Sequence, residues 1–435
     1  MQPPVRKFLF NNMNVNNDNA LELGTNLSIY RRIAAYYSIL IIYFFYCYSI
    51  YLLSVLGPFM RNHLHFSNSQ CASLYSITSL GTLFGTIIAG KMSLLWGRKI
   101  TLQLLGIAFA LFTLAHILTS ESFVAWAILR LFCGVAIGGV FGTSTALIVG
   151  LFPQRYSGRL NSFAACLFAL SGVLAGKIAE CYLDTHWTMV LWCSGIPTLV
   201  GVCLVQLWVP SDSNITKQQK GKMSFHSGKQ GYSSMLQGKY LWIGLLAVFL
   251  SGMNFSGYSG FSQFFPIYLQ NGLDMSTKEW TRMIQLQDFG QFIGFNFWGW
   301  IGDRFGRKKS LAGMLLCSAL IPVYLGLDTS NIQLLFAISL LYGISLGYSG
   351  IWGAYYTELF PAKFRSLSAG FCFNMGRAIS MLTVFGVGIA ADSLGIKHGL
   401  LIPAVFFALG CIAWMLLPET LANTKTIQQS KTQSA

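Results

Sequence analysis

Twelve apolar runs, each near or above the length needed to cross a bilayer as a helix, decide most of what this chain can become. They fall at 33–56, 71–95, 100–119, 122–148, 160–182, 186–209, 240–269, 279–302, 309–327, 331–357, 366–389 and 397–417. The hydrocarbon core is ~30 Å thick, so roughly 20 residues of helix span it. Runs this long exclude a transmembrane β-barrel, whose strands alternate over about ten residues. Composition agrees, with 54% of residues hydrophobic and 10% charged, against about 25% charged in a soluble domain. The expected fold is an all-α polytopic membrane protein of twelve spans.

Charge then sets an orientation. With both termini cytoplasmic, 22 of the 29 lysines and arginines fall in cytoplasmic segments, and only Arg61, Lys278, Arg282 and Lys397 fall opposite. That bias is the positive-inside pattern, so the formal net charge of +15 is a topology signal. A nucleic-acid binder would need a soluble basic face with stacking aromatics, which the chain lacks. Residues 1–32 are polar and asparagine-rich, without the apolar core or small-residue cleavage site of a signal peptide. They read as a cytoplasmic tail. Most of the ten cysteines lie inside apolar runs, and no Cys/His spacing suggests a metal site or a bound cofactor. Cys71 and Cys181 fall near the outer surface, where two free thiols are expected before a disulfide.

The chain repeats itself. Gly97-Arg98-Lys99 returns as Gly306-Arg307-Lys308, 209 positions on, and Gly134 and Gly138 return as Gly343 and Gly347 at the same offset. Leu151-Phe152-Pro153 returns as Leu359-Phe360-Pro361. Between the copies, 210–239 is rich in Lys, Ser and Gly and reads as a flexible cytoplasmic linker. The division is therefore 33–209 and 240–417 as two pseudo-symmetric six-helix bundles, with 418–435 a second cytoplasmic tail.

Six helices plus six, a basic central loop and GWIGDRFGRKK (Gly299–Lys309) together resemble the major facilitator superfamily of secondary transporters. TELFPAKFR (Thr357–Arg365), FNMGR (Phe373–Arg377) and LPET (Leu417–Thr420) resemble its metabolite:proton symporter, aromatic-acid and sugar-porter branches. The resemblance implies two bundles around a central crevice that opens alternately to each side. It also implies a gate on the cytoplasmic face. Asp303, Arg304, Arg307 and Glu358 are its expected network, with Arg365 and Arg98 as further cations. In the first half Leu94 and Leu95 replace the Asp-Arg pair, and Gly150 stands where the second half has Glu358. This is either drift in a redundant gate or a weakened lock.

Ionisable residues at mid-membrane are functional candidates because they are costly to bury. Asp288 and Arg377 lie at similar depths, so they are expected to pair, with Gln285, Gln287, Gln291 and Asn374 around them. The pair reads either as structural or as a substrate-anion and proton-coupling site, with Asp288 the coupling acid. Arg130 opens R-x-x-x-G-x-x-x-G. The Asp that the resemblance would supply on the first helix is missing, which leaves Arg130 to attract an anion or to bond backbone carbonyls. Lys177 and Glu180 should form an interfacial ion pair, and His116 should be structural or interfacial. Asn254, Tyr258, Tyr48 and Trp352 are further candidates for the crevice wall. The stretch SGMNFSGYSGFSQFFP should bend or end before Pro266.

No phosphate-binding loop or catalytic dyad is present, so no enzyme is expected. A secondary transporter of a small polar metabolite by alternating access is expected, an organic anion favoured and a proton the co-transported partner. A sugar or polyol transporter is the alternative, and a non-transporting nutrient sensor on the same fold is the alternative of another class. The expected setting is a monomer in a bacterial inner membrane.

Overall fold

The computed structural model describes residues 27–119, 122–152, 154–211, 238–360 and 365–420; side chains at 154–159, 161, 162, 165, 239, 357 and 365–369 fall outside that description. Of the expected tails, 1–26 and 421–435 lie outside the described residues, as does 212–237 of the expected linker; Ile29–Arg32 belong to the first helix rather than to a tail.

Twelve membrane-length helices run in order among the described residues. The first six are α1 (Ile29–Asn62), α2 (Asn68–Trp96), α3 (Arg98–Ala115), α4 (Phe123–Gly138, resuming as Val140–Leu151), α5 (Gln154–His186) and α6 (Thr188–Trp208). The second six are α7 (Gly238–Ile267), α8 (Thr277–Phe305), α9 (Leu311–Leu325), α10 (Ile332–Leu346, continuing through a 3-10 turn, Gly347–Ile351, into Trp352–Glu358), α11 (Arg365–Ser393) and α12 (Ile402–Leu416). Apolar side chains such as Phe84, Ile87, Leu111, Ile128 and Leu382 point outward, as a lipid-facing surface requires. Eleven spans are long and apolar enough to cross a membrane, α9 and α12 once the short turns before them are included as Arg307–Leu325 and Ile396–Leu416. The twelfth, α8, is long enough but carries buried Gln287, Asp288 and Gln291 on one face. Its polarity is turned inward.

The two halves pair their helices alike. In the first, α1 packs on α5 and α6, α2 on α4, and α3 on α6; in the second, α7 packs on α11 and α12, α8 on α10, and α9 on α12. Glycines make the α2/α4 and α8/α10 contacts possible. Gly81 and Gly85 face Gly134 and Val135, while Gly290 and Gly294 face Ile344 and Gly347, with backbone against backbone. Small residues let helices approach this closely in a membrane. The α2–α3 and α8–α9 turns each need a positive φ, supplied by Gly97 (91°) and Gly306 (113°).

Three seams join the halves: α1 with α7, α2 with α11, and α5 with α8. Among the described residues, the side-chain hydrogen bonds across them cluster toward the face where α1 ends and α2 begins, hereafter the distal face; the face bearing Ile29 and Leu416 is the terminal face. Across α1/α7, prolines create the demand for a bond. Pro266 has no N–H, so the carbonyl of Ser262 loses its helical partner, and the Ser54 hydroxyl of α1 donates to it instead. Ser54 and Pro58 repeat the same four-residue spacing on α1. The expected end of α7 before Pro266 is thus corrected: the helix runs through to Ile267 and closes in a π-helical turn, Tyr268–Gly272. The ten cysteines include buried Cys71 and exposed Cys181, both free.

Candidate functional site

Two charged side chains sit in the interior where the halves meet, and they do not pair. None of the described ion pairs joins Asp288 to Arg377. The reason is azimuth. Helix α8 packs on α5 and α10, whereas α11 packs on α7 and α2, so similar depths on the two helices lie on opposite flanks of α1 and α7.

Asp288 is 1% exposed and faces Gly172 of α5 and Tyr51 of α1. A Cβ at position 172 would stand 2.5 Å from the Asp288 carboxyl carbon and 2.8 Å from the Tyr51 ring. Tyr258 of α7 adjoins both. Yet neither Asp288 Oδ2 nor Tyr51 Oη completes a hydrogen bond of good geometry. Buried polar atoms without partners are uncommon. Gln287 and Gln291, also on α8, each keep a buried Oε1 without a partner. Gln285 is already engaged: its Nε2 donates to Glu180 Oε2 across the α5/α8 seam at 3.0 Å. Glu180 also takes Lys177 at 3.0 Å, the ion pair expected from sequence, and Arg282 lies 4.0 Å away.

Arg377 is half-buried in an aromatic clasp. Its guanidinium carbon lies 5.4 Å from the Phe255 ring and 5.2 Å from the Phe373 ring, distances at which a cation is attracted to the ring face. Tyr46 and Tyr43 of α1 and Tyr75 of α2 adjoin it. Asn374, one turn earlier, donates to Gly370 O at 2.9 Å within its own helix. Across this flank Tyr75 meets the Ser259 hydroxyl at 2.5 Å and Ser76 donates to Met381 O at 2.6 Å.

Several candidates lie elsewhere. Tyr48 is fully buried against α6, donating to Val190 O at 3.1 Å; Tyr43, Tyr46 and Tyr51 occupy the other phase of α1. Trp352 is a packing residue among Tyr348, Tyr356 and Trp414. Asn254 accepts the Tyr348 hydroxyl. Arg130 is 2% exposed, with Nε and Nη2 unpartnered, and sits 6.0 Å from the Trp126 ring. His116 is fully buried at the end of α3, as a structural residue would be: its Nδ1 is 2.8 Å from Phe112 O and its ring packs edge-on to Trp126 at 4.8 Å.

The terminal-face network forms in the second half with one substitution of partner. Arg307 bonds Asp303 and makes a two-pronged pair with Glu358, Nη2–Oε1 3.0 Å and Nε–Oε2 3.2 Å. Arg304 stays outside, 5.7 Å from the rings of Trp300 and Phe305. The place expected for it is taken by LPET. Glu419 accepts the backbone N–H groups of Arg307 and Lys308, both at 2.9 Å, and Thr420 donates to Glu358 at 2.5 Å. Pro418 O accepts the Tyr355 hydroxyl at 3.0 Å. In the first half Arg98 donates to Ala146 O at 3.3 Å, and Leu94 and Leu95 are exposed. The Arg365 side chain lies outside the described residues.

The residues missed from sequence are Tyr43, Tyr46, Tyr75, Phe255 and Phe373 around Arg377, and Gly172 beside Asp288. The i, i+3 spacing of Tyr43 and Tyr46 and the i, i+4 spacing of Phe373 and Arg377 in FNMGR were the visible signals.

Comparison with known proteins agrees with this architecture. The chain is 26% identical over 364 residues to a protein of Cupriavidus pinatubonensis named "Probable 4-methylmuconolactone transporter", covering 81% of this chain and 83% of that one. It is 24% identical over 373 residues to the "Cis,cis-muconate transport protein" of Acinetobacter baylyi, covering 83% and 88%. Among solved structures, the inward-open xylose transporter XylE from E. coli superposes with a TM-score of 0.72 at 15% identity, covering 91% of this chain and 99% of that one. The family model for the Major Facilitator Superfamily matches residues 39–295 and 286–434. The chain therefore belongs to the Major Facilitator Superfamily and is a multi-pass membrane transporter.

Proposed function

We propose that this protein moves a small organic anion across a bacterial inner membrane by alternating access, together with a proton. The observation that carries the reading is the separation of Asp288 from Arg377. A half-buried arginine without a carboxylate partner offers its charge to an anion, and a planar guanidinium suits a carboxylate. A buried carboxylate without a cation partner has a proton as its natural charge partner. Each charge in its own pocket can take its own ligand.

The clasp of Phe255, Phe373, Tyr43 and Tyr46 favours a flat, unsaturated carboxylate over a polyol. The names of the two relatives, a muconolactone and a muconate transporter, point to the same chemistry. The unpartnered amide oxygens of Gln287 and Gln291 favour the second reading, a sugar or other neutral solute. The Lys and Arg bias supports a cytoplasmic setting for the terminal face and both termini.

The test is uptake by proteoliposomes across a panel of muconates, aromatic carboxylates and xylose, with and without an inward pH gradient. The anion reading expects carboxylate uptake that collapses in Arg377→Gln and loses its response to the gradient in Asp288→Asn. Xylose uptake that survives Arg377→Gln would establish the sugar reading instead.

A further inference from the structure

The distal face is closed by contacts that obey the same repeat as the glycines. Asp392, near the end of α11, accepts the backbone N–H of Asn68 at 2.9 Å and of Ser69 at 2.8 Å. These are the first residues of α2, in the other half. Asp184 stands 208 positions earlier, near the end of α5, and accepts the hydroxyl of Thr277, the first residue of α8, at 2.9 Å. Between them Asn271 donates to Asn62 at 3.1 Å, joining the ends of α7 and α1.

The two helix starts use these acids differently. Helix α2 already has a capping box of Ser67 and Gln70, and α8 has one of Ser276 and Glu279. The α2 box satisfies the N–H groups of Ser67 and Gln70 and leaves those of Asn68 and Ser69 to Asp392, so Asp392 completes the α2 start from the other half, while Asp184 meets only the Thr277 hydroxyl. An anion is favoured at a helix N-terminus, where first-turn N–H groups point outward. Both aspartates are exposed, so water takes over their bonds when the seam parts and the contact is readily reversible. The two catches are unequal: Asp392 holds two backbone N–H groups, Asp184 one hydroxyl.

We propose that Asp184 and Asp392 are the two catches of a twofold-related latch that sets how readily the distal face opens, with the α2/α11 catch the stronger. The proposal rests on alternating access as read above. Its test needs no substrate, so a failed latch and a failed transport reading are separate outcomes.

Cys71 is the reporter. It lies one turn into α2, 8% exposed, next to Ala72, which Gly388 of α11 abuts. Full-length protein in liposomes is treated with a membrane-impermeant maleimide, and labelling at each cysteine is followed by peptide mass spectrometry. Asp392→Asn is expected to speed Cys71 labelling about tenfold, equivalent to about 1.4 kcal/mol; Asp184→Asn is expected to speed it less. Asn68→Pro removes one N–H from the catch without changing charge. Proline suits a first helical position, and Ser67 before it is already extended at φ −69°, ψ 164°. It too should speed Cys71 labelling. Exposed Cys181 is the internal standard and buried Cys317 the folding control. Unchanged Cys71 labelling in Asp392→Asn and Asn68→Pro overturns the latch. So does a rise at Cys71 matched at Cys317, which would mean general loosening, and so does a larger effect from Asp184→Asn.

Discussion

Gly343→Ala puts a methyl carbon 2.7 Å from the carbonyl carbon of Gln287 and 3.0 Å from its Cα, with the carbonyl oxygen nearer still. Ordinary contact begins at 3.4 Å, so α8 and α10 must part by at least about 0.7 Å, the difference between 3.4 and 2.7. Backbone cannot swing aside as a side chain can. The same displacement strains the bond from Trp298 Nε1 to Ile344 O, now 2.8 Å, to about 3.5 Å, the limit of a useful hydrogen bond. Overpacking costs about 1–3 kcal/mol and the lost bond about 0.5–1.5 kcal/mol, so roughly 2–4 kcal/mol of destabilisation is expected. Gly353→Ala, on the same helix but with nothing within 4 Å of the new methyl, is the control. It should be neutral or stabilising by up to about 1 kcal/mol, through a stiffer unfolded chain. Thermal melts of the two variants in the same detergent give the comparison. If Gly343→Ala melts with Gly353→Ala, the close backbone packing of α8 on α10 is not what holds this half together.

Ser54→Ala should destabilise by about 1–3 kcal/mol by orphaning the Ser262 carbonyl; in a Pro266→Ala background, where residue 266 regains its N–H, the loss should shrink by at least ~0.5 kcal/mol in a double-mutant cycle of melts. Glu419→Gln should lower the melting temperature by removing a charged acceptor from the Arg307 and Lys308 N–H groups, at about 1–3 kcal/mol, while Arg304→Gln, outside the network, should melt like the parent. Leu94→Asp with Gly150→Glu, which rebuilds on Arg98 the carboxylates that Arg307 enjoys, should change stability by no more than ~1 kcal/mol, since exposed ion pairs contribute little; a larger gain would show that the first half had lost a structural lock.

The apolar runs carried the spans and the repeated glycines carried the pairing of halves, because both are properties of single helices or of a fixed sequence offset. The site was harder. Depth along a helix can be counted at ~1.5 Å per residue, and by that count Asp288 and Arg377 looked like neighbours. Facing cannot be counted until the packing partners are known, and α8 and α11 turn out to belong to different seams. Tyr48 faces elsewhere for the same reason: only two residues along α1 separate Tyr46 of the clasp around Arg377 from Tyr48 against α6. LPET was visible as a motif, yet the role of Glu419 depends on α12 returning to the α8–α9 turn. Ser-x-x-x-Pro at 54–58 and 262–266 was legible as a repeat, but only the α1/α7 seam shows which hydroxyl serves which carbonyl.

Alternation of the crevice is tested most directly by paired spin-label distances in reconstituted protein, with exposed Cys181 and Cys203 replaced. Labels at Leu118 and Leu394 report the distal face, and labels at Leu95 and Phe305 the terminal face; all four positions are exposed. On addition of cis,cis-muconate with protons the distal distance should lengthen while the terminal distance shortens. Distances that stay fixed, or that lengthen together, while uptake proceeds would contradict the account.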